Sequence, residues 1–518
     1  MNCKNVIKHK ADICVIGGGL AGMCAAIAAA RRGSSVVLIH DRPVWGGNCS
    51  SEIRMWPMGA GGANRRETGI FEELVLNNMY RNPTRNYPVW DSVLFEAVRF
   101  QKGLESILNC SVNDIEMSDD KHIKAVYSWQ TTTYKTHYIR ADIFIDCSGD
   151  SILAELSGAE YRHGREARGE YGEAAAPQTA DKQTMGNSCL LQVRETAEPI
   201  PFIPPKWARK LPDEENLETR DHMPNSYRDN NFWWLELGGN KNTIDDAEEI
   251  RDELLKLSFG IWDHIKNTGD HNAENWELDW AGFLPGKRES RRYIGDHILN
   301  QREVQQGGKF KDIVAYGGWQ IDDHPPMGFD HKGEPTTYYP CPSPFGIPYR
   351  CLYSVNIDNL MFAGRNISVT HAAMAASRVM ATCAMLGQAA GTAAYIAIKN
   401  STEPRGVNNY IAELQQYLME DDCWLPGLSL SFDYYKIKVR GLIQAVSAQQ
   451  KVNFCQQGVT ELCGGFFLQG ANNQGNFVDV QPFNLASIRT EGFDIEASYQ
   501  IRQPLGLPGR FTVRGLAT

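Results

Sequence analysis

A glycine-rich turn near the start of the chain constrains the fold more than any other feature. The apolar run Ile13–Ile16 precedes Gly17-Gly18-Gly19, and the Ala-rich segment Leu20–Arg32 follows. The run predicts a buried strand, and the Ala-rich segment predicts a helix packed on it. With glycines at 17, 19 and 22, such a turn presents backbone N–H groups and a helix N-terminus to a pyrophosphate. The pattern predicts a dinucleotide-binding α/β fold; a tight turn that binds nothing is the alternative.

The residues that follow the second predicted strand indicate which side chain binds the ribose of the dinucleotide. The apolar run from Ser35 to Ile39 is spaced to form the next parallel strand. In this fold an acidic side chain after that strand accepts hydrogen bonds from the ribose hydroxyls. His40 occupies the position in register and Asp41 follows it. We therefore expect Asp41 to bind the ribose, with His40 as the second choice.

Three later segments favour a flavin dinucleotide over a nicotinamide one. A second glycine pair, Gly46-Gly47, follows the second strand. An apolar strand at 142–146 ends in Ser148-Gly149-Asp150, and another at 359–362 ends in Ala-Gly-Arg. A long Ala-rich helix is predicted from about 375 to 398, and its positive N-terminal end would favour an anionic reduced flavin ring.

Residues from 10 to about 427 resemble the FAD-dependent oxidoreductase family. The resemblance rests on a Gly-Gly-Asn segment continued as Ser-Ser-Glu-Ile-Arg, and on a late Ala-Gly-Arg-Asn-Ile-Ser-Val-Thr-His segment. It implies FAD as cofactor and an α/β, Rossmann-like FAD-binding domain of the two-dinucleotide-binding-domain flavoprotein type, with an inserted α+β cap. Two departures are Cys49 and His40. The cofactor-binding residues that we expect are Gly17, Gly19, Leu20, Ala21, Gly22, Asp41, Arg42, Gly46, Gly47, Asn48, Ser50, Ser51, Ser148, Gly149, Asp150, Gly364, Arg365 and Asn366.

The segments divide the chain into four parts. We expect a discontinuous FAD-binding domain at 10–160 and 356–400, and a Trp-rich substrate cap at 161–355. Residues 401–440 form a truncated C-terminal extension. From about 441 the sequence instead resembles a fragment of a TonB-dependent receptor, with apolar residues alternating in a barrel-strand-like pattern. About 75 residues cannot close such a barrel, so a joined reading frame with poor order is expected there.

Composition excludes several classes of function. The 518 residues carry a net charge of −10 and no Lys/Arg-rich run, which argues against nucleic acid as a partner. No stretch up to 440 is expected to span a membrane, and the first residues lack the apolar core of a secretory signal, so we expect a cytoplasmic protein. Thirteen cysteines without Cys-x-x-Cys spacing indicate reduced thiols and no metal site. A redox-active Cys49 is the alternative.

Four residues are candidates for catalysis. Hydride transfer to flavin N5 needs a base near the substrate. His371, beside the late Ala-Gly-Arg turn, is the first candidate, and His324 is the second. Tyr349 and Arg350 could bind a substrate oxyanion or hydroxyl. Each has a plainer interpretation: a structural histidine at a helix start, a turn, or a surface loop.

The predicted function is hydride transfer between flavin N5 and a small polar substrate, with a hydroxylated or sugar-like compound as one candidate. Two alternatives stay open: a desaturase or enoate-type reductase that uses an arginine as acid, and a FAD-binding remnant without activity. The electron acceptor is unknown.

Overall fold

The computed structural model describes residues 6–62, 66–215, 217–224, 232–268, 271–426, 428–444, 447–467, 477–478, 480, 483–502 and 510–517. The chain divides into two compact units at Pro426. The first unit holds all the segments that resemble the oxidoreductase family. The division lies earlier than the boundary expected at 440, because one continuous strand runs from Leu428 to Gln444.

The strands of the first unit, in chain order, are β1 (Val6–Lys10), β2 (Ile13–Ile16), β3 (Val36–Ile39), β4 (Leu104–Ile107), β5 (Cys110–Met117), β6 (Ile123–Gln130), β7 (Lys135–Arg140), β8 (Ile143–Asp146), β9 (Tyr161–His163), β10 (Asn187–Ser188), β11 (Leu191–Glu195), β12 (Glu236–Leu237), β13 (Trp276–Ala281), β14 (Gly286–Lys287), β15 (Arg291–Tyr293), β16 (Ile313–Gly317), β17 (Ile321–Asp323), β18 (Thr337–Tyr339), β19 (Phe345–Pro348) and β20 (Leu360–Phe362).

Its helices are α1 (Leu20–Arg32), α2 (Ile70–Arg81), α3 (Tyr87–Arg99), α4 (Ile152–Ser157), α5 (Arg168–Tyr171), α6 (Ala247–Asn267), α7 (Gln301–Gln305), α8 (His371–Ser377), α9 (Met380–Lys399) and α10 (Ile411–Glu420). Short 3₁₀ helices cover Gly47–Cys49, Gly328–Asp330, Tyr349–Cys351 and Pro404–Tyr410.

A five-stranded parallel sheet carries the glycine-rich turn. Its order is β20-β8-β2-β3-β4, and every neighbouring pair is parallel. The strands β2, β3, β8 and β20 are buried along their whole length, which is why they read as continuous apolar runs. The predicted α/β fold with a parallel sheet is confirmed. Ligands bind at the carboxyl ends of such strands.

Helix α9 packs against α1 without intervening side chains. A Cβ atom added at Gly387 would lie 2.0 Å from the Ala21 carbonyl oxygen, and one at Gly391 would lie 2.1 Å from that of Ala25. The two backbones therefore touch through glycine. By length and composition α9 could cross a membrane, contrary to the expectation from sequence, but 89% of the window that qualifies is buried within the protein. It is a core helix of the first unit.

The long helix predicted from 375 to 398 is in fact two helices. Helix α8 ends at Ser377 and α9 begins at Met380, because Val379 is extended with φ −63° and ψ 143°. The guanidinium of Arg378 bonds the carbonyl oxygen of Asp322 at 3.0 Å, which holds the break in place. The break gives the chain a second helix N-terminus in this region.

The cap contains short antiparallel sheets around α6. The pairings are β12-β10-β14, β11-β13, β15-β9, β16-β19 and β17-β18. Apolar residues of α6 pack with Trp234 and Phe329 in a cap core of their own. Most of the cap tryptophans therefore form core, and Trp233 and Trp319 are the ones that also line a cavity.

The second unit contains β21 (Leu428–Gln444), α11 (Ala448–Gln456), β22 (Phe466–Phe467), β23 (Phe477–Val478), β24 (Phe483–Arg502) and β25 (Arg510–Ala517). Strands β21, β24 and β25 form an antiparallel sheet. Cys455 and Cys463 form a disulfide, contrary to the expectation of reduced thiols throughout. Many residues from 441 onward lie outside the described ranges, including 468–476 and 503–509.

Candidate active site

One cavity of about 690 Å³ runs along the carboxyl ends of the parallel strands. Residues of the parallel-sheet region line one side of this cavity, which we call the sheet side. Residues of the cap, together with Arg378, line the other side, which we call the cap side. The sheet side includes Gly17–Ala21, Asp41, Arg42, Gly46–Asn48, Ser148–Asp150, Gly364 and Arg365. The cap side includes Asn187, Ser188, Trp233, Arg288, Trp319, Asp322, His324, Tyr338 and Arg378.

The glycine-rich turn has room for nothing but hydrogen at two positions. Gly17 has φ +99°, and a Cβ there would lie 2.4 Å from the Cys147 carbonyl oxygen. A Cβ at Gly22 would lie 1.8 Å from the Gly17 carbonyl oxygen. These contacts hold α1 close to β2 and β8. The N-terminus of α1 lies at the cavity, since Gly19, Leu20 and Ala21 line it.

His40 supports the turn rather than the ribose. Its Nδ1 accepts a hydrogen bond of 3.0 Å from the Gly18 N–H, and its ring stacks on Trp45 with centroids 5.6 Å apart. It is buried, although it also lines the cavity. Asp41 lines the cavity with an exposed carboxylate, as its predicted role requires. Burial raises the pKa of Asp41, but the neighbouring His40 and Arg42 together outweigh burial and leave the pKa below its ordinary value.

The second glycine pair is joined to the first. The Gly46 N–H donates to the Gly18 carbonyl oxygen at 2.8 Å, and Gly46 has φ +109°. The amide of Asn48 donates to the Lys287 carbonyl oxygen at 3.1 Å. The loop that carries this pair therefore connects the glycine-rich turn to the cap strand β14.

Asp150 anchors two cations at the sheet side. Its carboxylate lies 2.6 Å from Lys287 Nζ and 2.9 Å from an Arg365 guanidinium nitrogen. Burial raises the pKa of Asp150, but the charges of Arg365 and Lys287 outweigh it and lower the pKa to about 2. A Cβ at Gly149 would overlap the Arg365 guanidinium at 2.6 Å. The Asp150 carboxylate is thus ionised at neutral pH, and the Arg365 guanidinium packs tightly against Gly149.

The sheet side fits a dinucleotide. Arg42 Nη1 and Arg365 Nε are buried and have no hydrogen-bond partner among the described residues, although both arginines line the cavity. Helix α1 and helix α9 both begin there, since Val379 and Met380 also line it. Unpaired guanidinium N–H groups and helix N-termini are the partners that a pyrophosphate needs. Residues that would hold FAD are therefore present.

Four of the expected cofactor residues do not line the cavity. Gly22 is a packing glycine, as described above. The Ser50 hydroxyl donates to the Gly47 carbonyl oxygen at 2.8 Å, and the Ser51 N–H donates to Asp91 at 3.1 Å. Asn366 is buried under β8, where its amide faces the Asp146 carbonyl oxygen at 3.4 Å. Their role is to shape the loops that carry the lining residues.

A histidine and four charged side chains meet at the cap side. His324 Nδ1 lies 2.6 Å from Glu236 Oε2, and its Nε2 lies 3.4 Å from Asp322 Oδ1. Arg288 lies 3.4 Å from the same Glu236 oxygen, and Arg378 lies 3.4 Å from Asp322. The four charges cancel in two pairs around the imidazole.

Both carboxylates of this group are ionised. Burial raises the pKa of Glu236, but the neighbouring Arg288 and His324 together outweigh burial, so the pKa lies below its ordinary value. Burial likewise raises the pKa of Asp322, and the neighbouring His324 and Arg378 bring it well below its usual range. In the neutral form of the imidazole, the Glu236 carboxylate at Nδ1 fixes the Nδ1–H tautomer.

His371, the first candidate for the base, does not line the cavity. Its Nδ1 lies 2.8 Å from Glu289 and its Nε2 lies 3.0 Å from Asp323, so both ring nitrogens are engaged. It is 2% exposed. Burial lowers the pKa of His371, but the charges of Glu289 and Asp323 outweigh it and raise the pKa to about 10. His371 is a buried imidazolium, and the expectation of a catalytic base there is corrected.

Tyr349 and Arg350 also lie away from the cavity. The Tyr349 hydroxyl is buried and donates to the Pro404 carbonyl oxygen at 2.7 Å. Arg350 pairs with Asp312 at 3.0 Å. Cys49 is buried as well, and burial raises the pKa of its thiol to about 12, which removes the redox alternative. The expected substrate contacts of Tyr349 and Arg350 are corrected to structural ones.

Sequence reasoning missed most of the cap side. Asn187 is fully buried, and neither its Nδ2 nor its Oδ1 has a hydrogen-bond partner among the described residues. Arg378 Nε is unpartnered in the same way. No local pattern marks Asn187, Glu236 or Arg378, because they come from segments far apart in the chain.

Comparison with known proteins places the chain among flavoproteins. A family model described as FAD dependent oxidoreductase matches residues 12–418. No curated protein matches the chain. Among solved structures, a geranylgeranyl bacteriochlorophyll reductase-like protein from Thermoplasma acidophilum is 12% identical, with 80% of this chain and 83% of that one covered and a TM-score of 0.34.

Two further solved structures match this chain with similarly low sequence identity and TM-score. The flavin-dependent brominase Bmp2 is 11% identical, with 79% of this chain and 84% of that one covered and a TM-score of 0.35. The p-nitrophenol 4-monooxygenase PnpA from Pseudomonas putida is 10% identical, with 80% and 86% covered and a TM-score of 0.32. Likenesses this distant carry no information about the substrate.

Proposed function

Because the chain belongs to the FAD-dependent oxidoreductase family, we propose that it transfers a hydride between FAD and a small, uncharged, hydroxylated substrate. The observation that carries the proposal is the cap side: unpartnered polar atoms of Asn187 and Arg378 lie in one cavity with His324. Buried polar atoms without partners cost free energy unless a ligand satisfies them. A polar substrate supplies the missing partners.

The charge balance favours an uncharged substrate. Arg288 is paired with Glu236, and Arg378 is paired with Asp322. Neither arginine is left as an uncompensated cation that would call for a carboxylate ligand. Hydroxyl groups can donate to and accept from Asn187, and they match this set of groups best.

Bound FAD supplies the hydride acceptor of the reaction. The residues that would hold it are Gly17–Ala21, Asp41, Gly46–Asn48, Asp150 and Arg365, all of which line the cavity. The chain itself must orient the substrate and remove a proton.

His324 is the residue we assign to the proton. Glu236 orients the imidazole through Nδ1, and in the Nδ1–H tautomer Nε2, which lies 3.4 Å from Asp322 Oδ1, is the acceptor. As an alcohol carbon loses its hydride, Nε2 takes the hydroxyl proton and the C–O bond becomes a carbonyl. The resulting imidazolium lies between two ionised carboxylates, Glu236 and Asp322, which stabilise it.

Aromatic side chains close the cap side. Trp233 packs edge-on against His324 with ring centroids 5.6 Å apart, and Trp319 donates to Asp322 at 3.2 Å. Rigid aromatic walls exclude water from the reacting groups and keep the imidazole in one orientation.

Anaerobic reduction tests the proposal. The purified full-length protein, loaded with FAD, is mixed without oxygen with a panel of sugars, polyols, simple alcohols and unsaturated acids. Loss of the oxidised flavin absorbance with a hydroxylated compound is expected. If no hydroxylated compound bleaches the flavin, the proposal is wrong, provided that dithionite bleaches the same sample.

A second candidate, a reductase of unsaturated acids, is favoured by one observation. Arg378 Nε faces no partner among the described residues, and an arginine can act as a carboxylate clamp. This candidate reverses the direction: the chemically reduced flavin would be reoxidised anaerobically by an unsaturated acid and not by a carbonyl compound. The same panel therefore separates the two.

We also propose that the first unit works in a reducing compartment, with the cytoplasm as the simplest choice. Its support is that the cysteines described between 6 and 426 are all free thiols.

A further inference from the structure

Three histidines and a glutamate converge at a point in the cap. His264 is in the last turn of α6, and His271 follows the end of that helix. Glu214 and His222 come from the loop that precedes β12. The ligand atoms of all four side chains lie within 4.8 Å of one another. None of these residues lines the cavity described above.

The distances between the ligand atoms match those of a four-coordinate ion. His222 Nε2 lies 2.9 Å from His271 Nε2 and 3.1 Å from Glu214 Oε2. Glu214 Oε1 lies 2.9 Å from His264 Nε2 and 3.4 Å from His271 Nε2. Ligand bonds of about 2.0–2.1 Å in a tetrahedron put neighbouring ligand atoms about 3.3 Å apart. The four contacts above are close to this separation, and all the ligand atoms lie within 4.8 Å of one another.

The tautomers of two of the histidines are set by the backbone. His264 Nδ1 faces the Leu211 carbonyl oxygen at 2.8 Å, and His222 Nδ1 faces that of Arg220 at 2.7 Å. A carbonyl oxygen only accepts, so both Nδ1 atoms carry hydrogen. In the neutral ring each Nε2 then carries a lone pair. That of His222 faces His271 Nε2 and Glu214, and that of His264 faces Glu214. A cation bound among these acceptors would satisfy them.

Backbone carbonyls that hold the far nitrogen of a histidine are also the usual outer contacts of metal ligands. Imidazole nitrogens and a carboxylate are ligands that suit zinc, and four protein ligands leave no open position for substrate. We propose that Glu214, His222, His264 and His271 form a structural site for a divalent zinc ion, which ties Glu214 and His222 to the end of α6.

Metal content tests the proposal directly. The full-length, FAD-loaded protein is dialysed against EDTA, incubated with zinc sulfate, desalted and measured by plasma mass spectrometry. We expect about one zinc per chain for the wild type and less than about a fifth of that for His222→Gln, because three ligands bind far more weakly than four. His222 is the variant of choice because it is less buried than His264 and His271.

A matched control shares the chemistry but not the site. His122 lies between Asp119 and Glu403, near the surface. We expect His122→Gln to keep one zinc per chain. If His222→Gln keeps its zinc with normal FAD content, or if the wild type binds none, the proposal is wrong and the cluster is held by a proton instead.

A measurement on the wild type alone guards against variants that fail to fold. Cobalt(II) added to the EDTA-treated protein should give ligand-field absorption at wavelengths longer than those of the flavin, with the intensity of a four-coordinate site, and zinc should abolish it. Six-coordinate, weak absorption would overturn the assignment. The result does not depend on the proposed function, because FAD content and flavin bleaching are measured separately.

Discussion

The two sides of the cavity are built by different means. The sheet side is made largely of backbone: glycines at 17, 18, 19, 46 and 47, together with the first turns of two helices. The cap side is made of side chains, and each of its charged groups depends on a partner from a distant segment, as Glu236 does for His324. We infer from this difference that the backbone geometry of the sheet side recognises the dinucleotide, whereas the paired charged side chains of the cap side recognise the substrate.

The largest expected effect is on the sheet side. Gly22→Ala places a methyl group 1.8 Å from the Gly17 carbonyl oxygen, so α1 must move away from the turn. We expect a loss of about 3 kcal/mol or more in the free energy of unfolding, and loss of bound FAD. Urea denaturation and the flavin absorbance of the purified protein measure both.

Two other glycines sharpen this result. A Cβ at Gly19 meets only Gly47 Cα at 4.0 Å, so Gly19→Ala should fold normally but bind FAD about 10-fold more weakly or worse, because its methyl group stands where the pyrophosphate approaches. Gly169→Ala, which meets no atom within 4 Å, should change neither property. Normal FAD binding by Gly22→Ala would contradict the conclusion that backbone geometry forms the dinucleotide site.

The next largest effect is on the cap side. His324→Gln keeps a hydrogen bond available to Glu236 but removes the base, and we expect flavin reduction to slow by about 10²–10⁴-fold. FAD content should not change, since His324 touches none of the glycine loops. Stopped-flow bleaching with the best substrate of the panel measures the rate. An unchanged rate would remove His324 from the mechanism.

A buried charge behind the cap side should affect stability rather than rate. His371→Gln removes the cation shared by Glu289 and Asp323 and leaves Glu289 only the Arg292 guanidinium at 3.4 Å, which we expect to cost about 3–5 kcal/mol of unfolding free energy. His297→Gln, whose ring pairs with Glu303 nearer the surface, should cost much less.

The pH dependence of that stability has a definite sign. The pKa of His371 rises from 6.5 to about 10 on folding. The folded chain therefore binds a proton that the unfolded chain releases above 6.5, so this contribution is complete below 6.5 and is lost as the pH rises through 10. The difference in unfolding free energy between wild type and His371→Gln should narrow between pH 6.5 and 10. A difference that grows with pH would contradict the imidazolium.

The smallest effects are expected outside the cavity. Tyr349→Phe removes one buried hydrogen bond, to Pro404, and should cost about 1 kcal/mol of stability. Arg350→Gln loses a partly exposed pair with Asp312 and should cost less. Both should bleach with substrate at rates within about twofold of wild type. A large loss of rate would return these residues to the site.

The contrast between local backbone geometry and contacts from distant segments explains which features could be predicted from sequence. The strand β2, the helix α1 and the glycines between them are local, so the pattern around Gly17 fixed their bounds. The break at Val379 was missed because Arg378 is held by Asp322, a contact more than 50 residues away. Proximity along the chain favours His371, beside the Ala-Gly-Arg turn, but it cannot reveal that His324 lines the cavity and His371 does not. The zinc ligands were missed because only cysteine spacing was considered.

The direct contact between α1 and α9 has a mechanical consequence. At Gly387 and Gly391 the two helices meet backbone to backbone, and the N-terminal ends of both helices line the cavity. A contact without intervening side chains leaves little room for one helix to shift against the other. We therefore expect bound FAD to order the N-terminal end of α9 as well as that of α1.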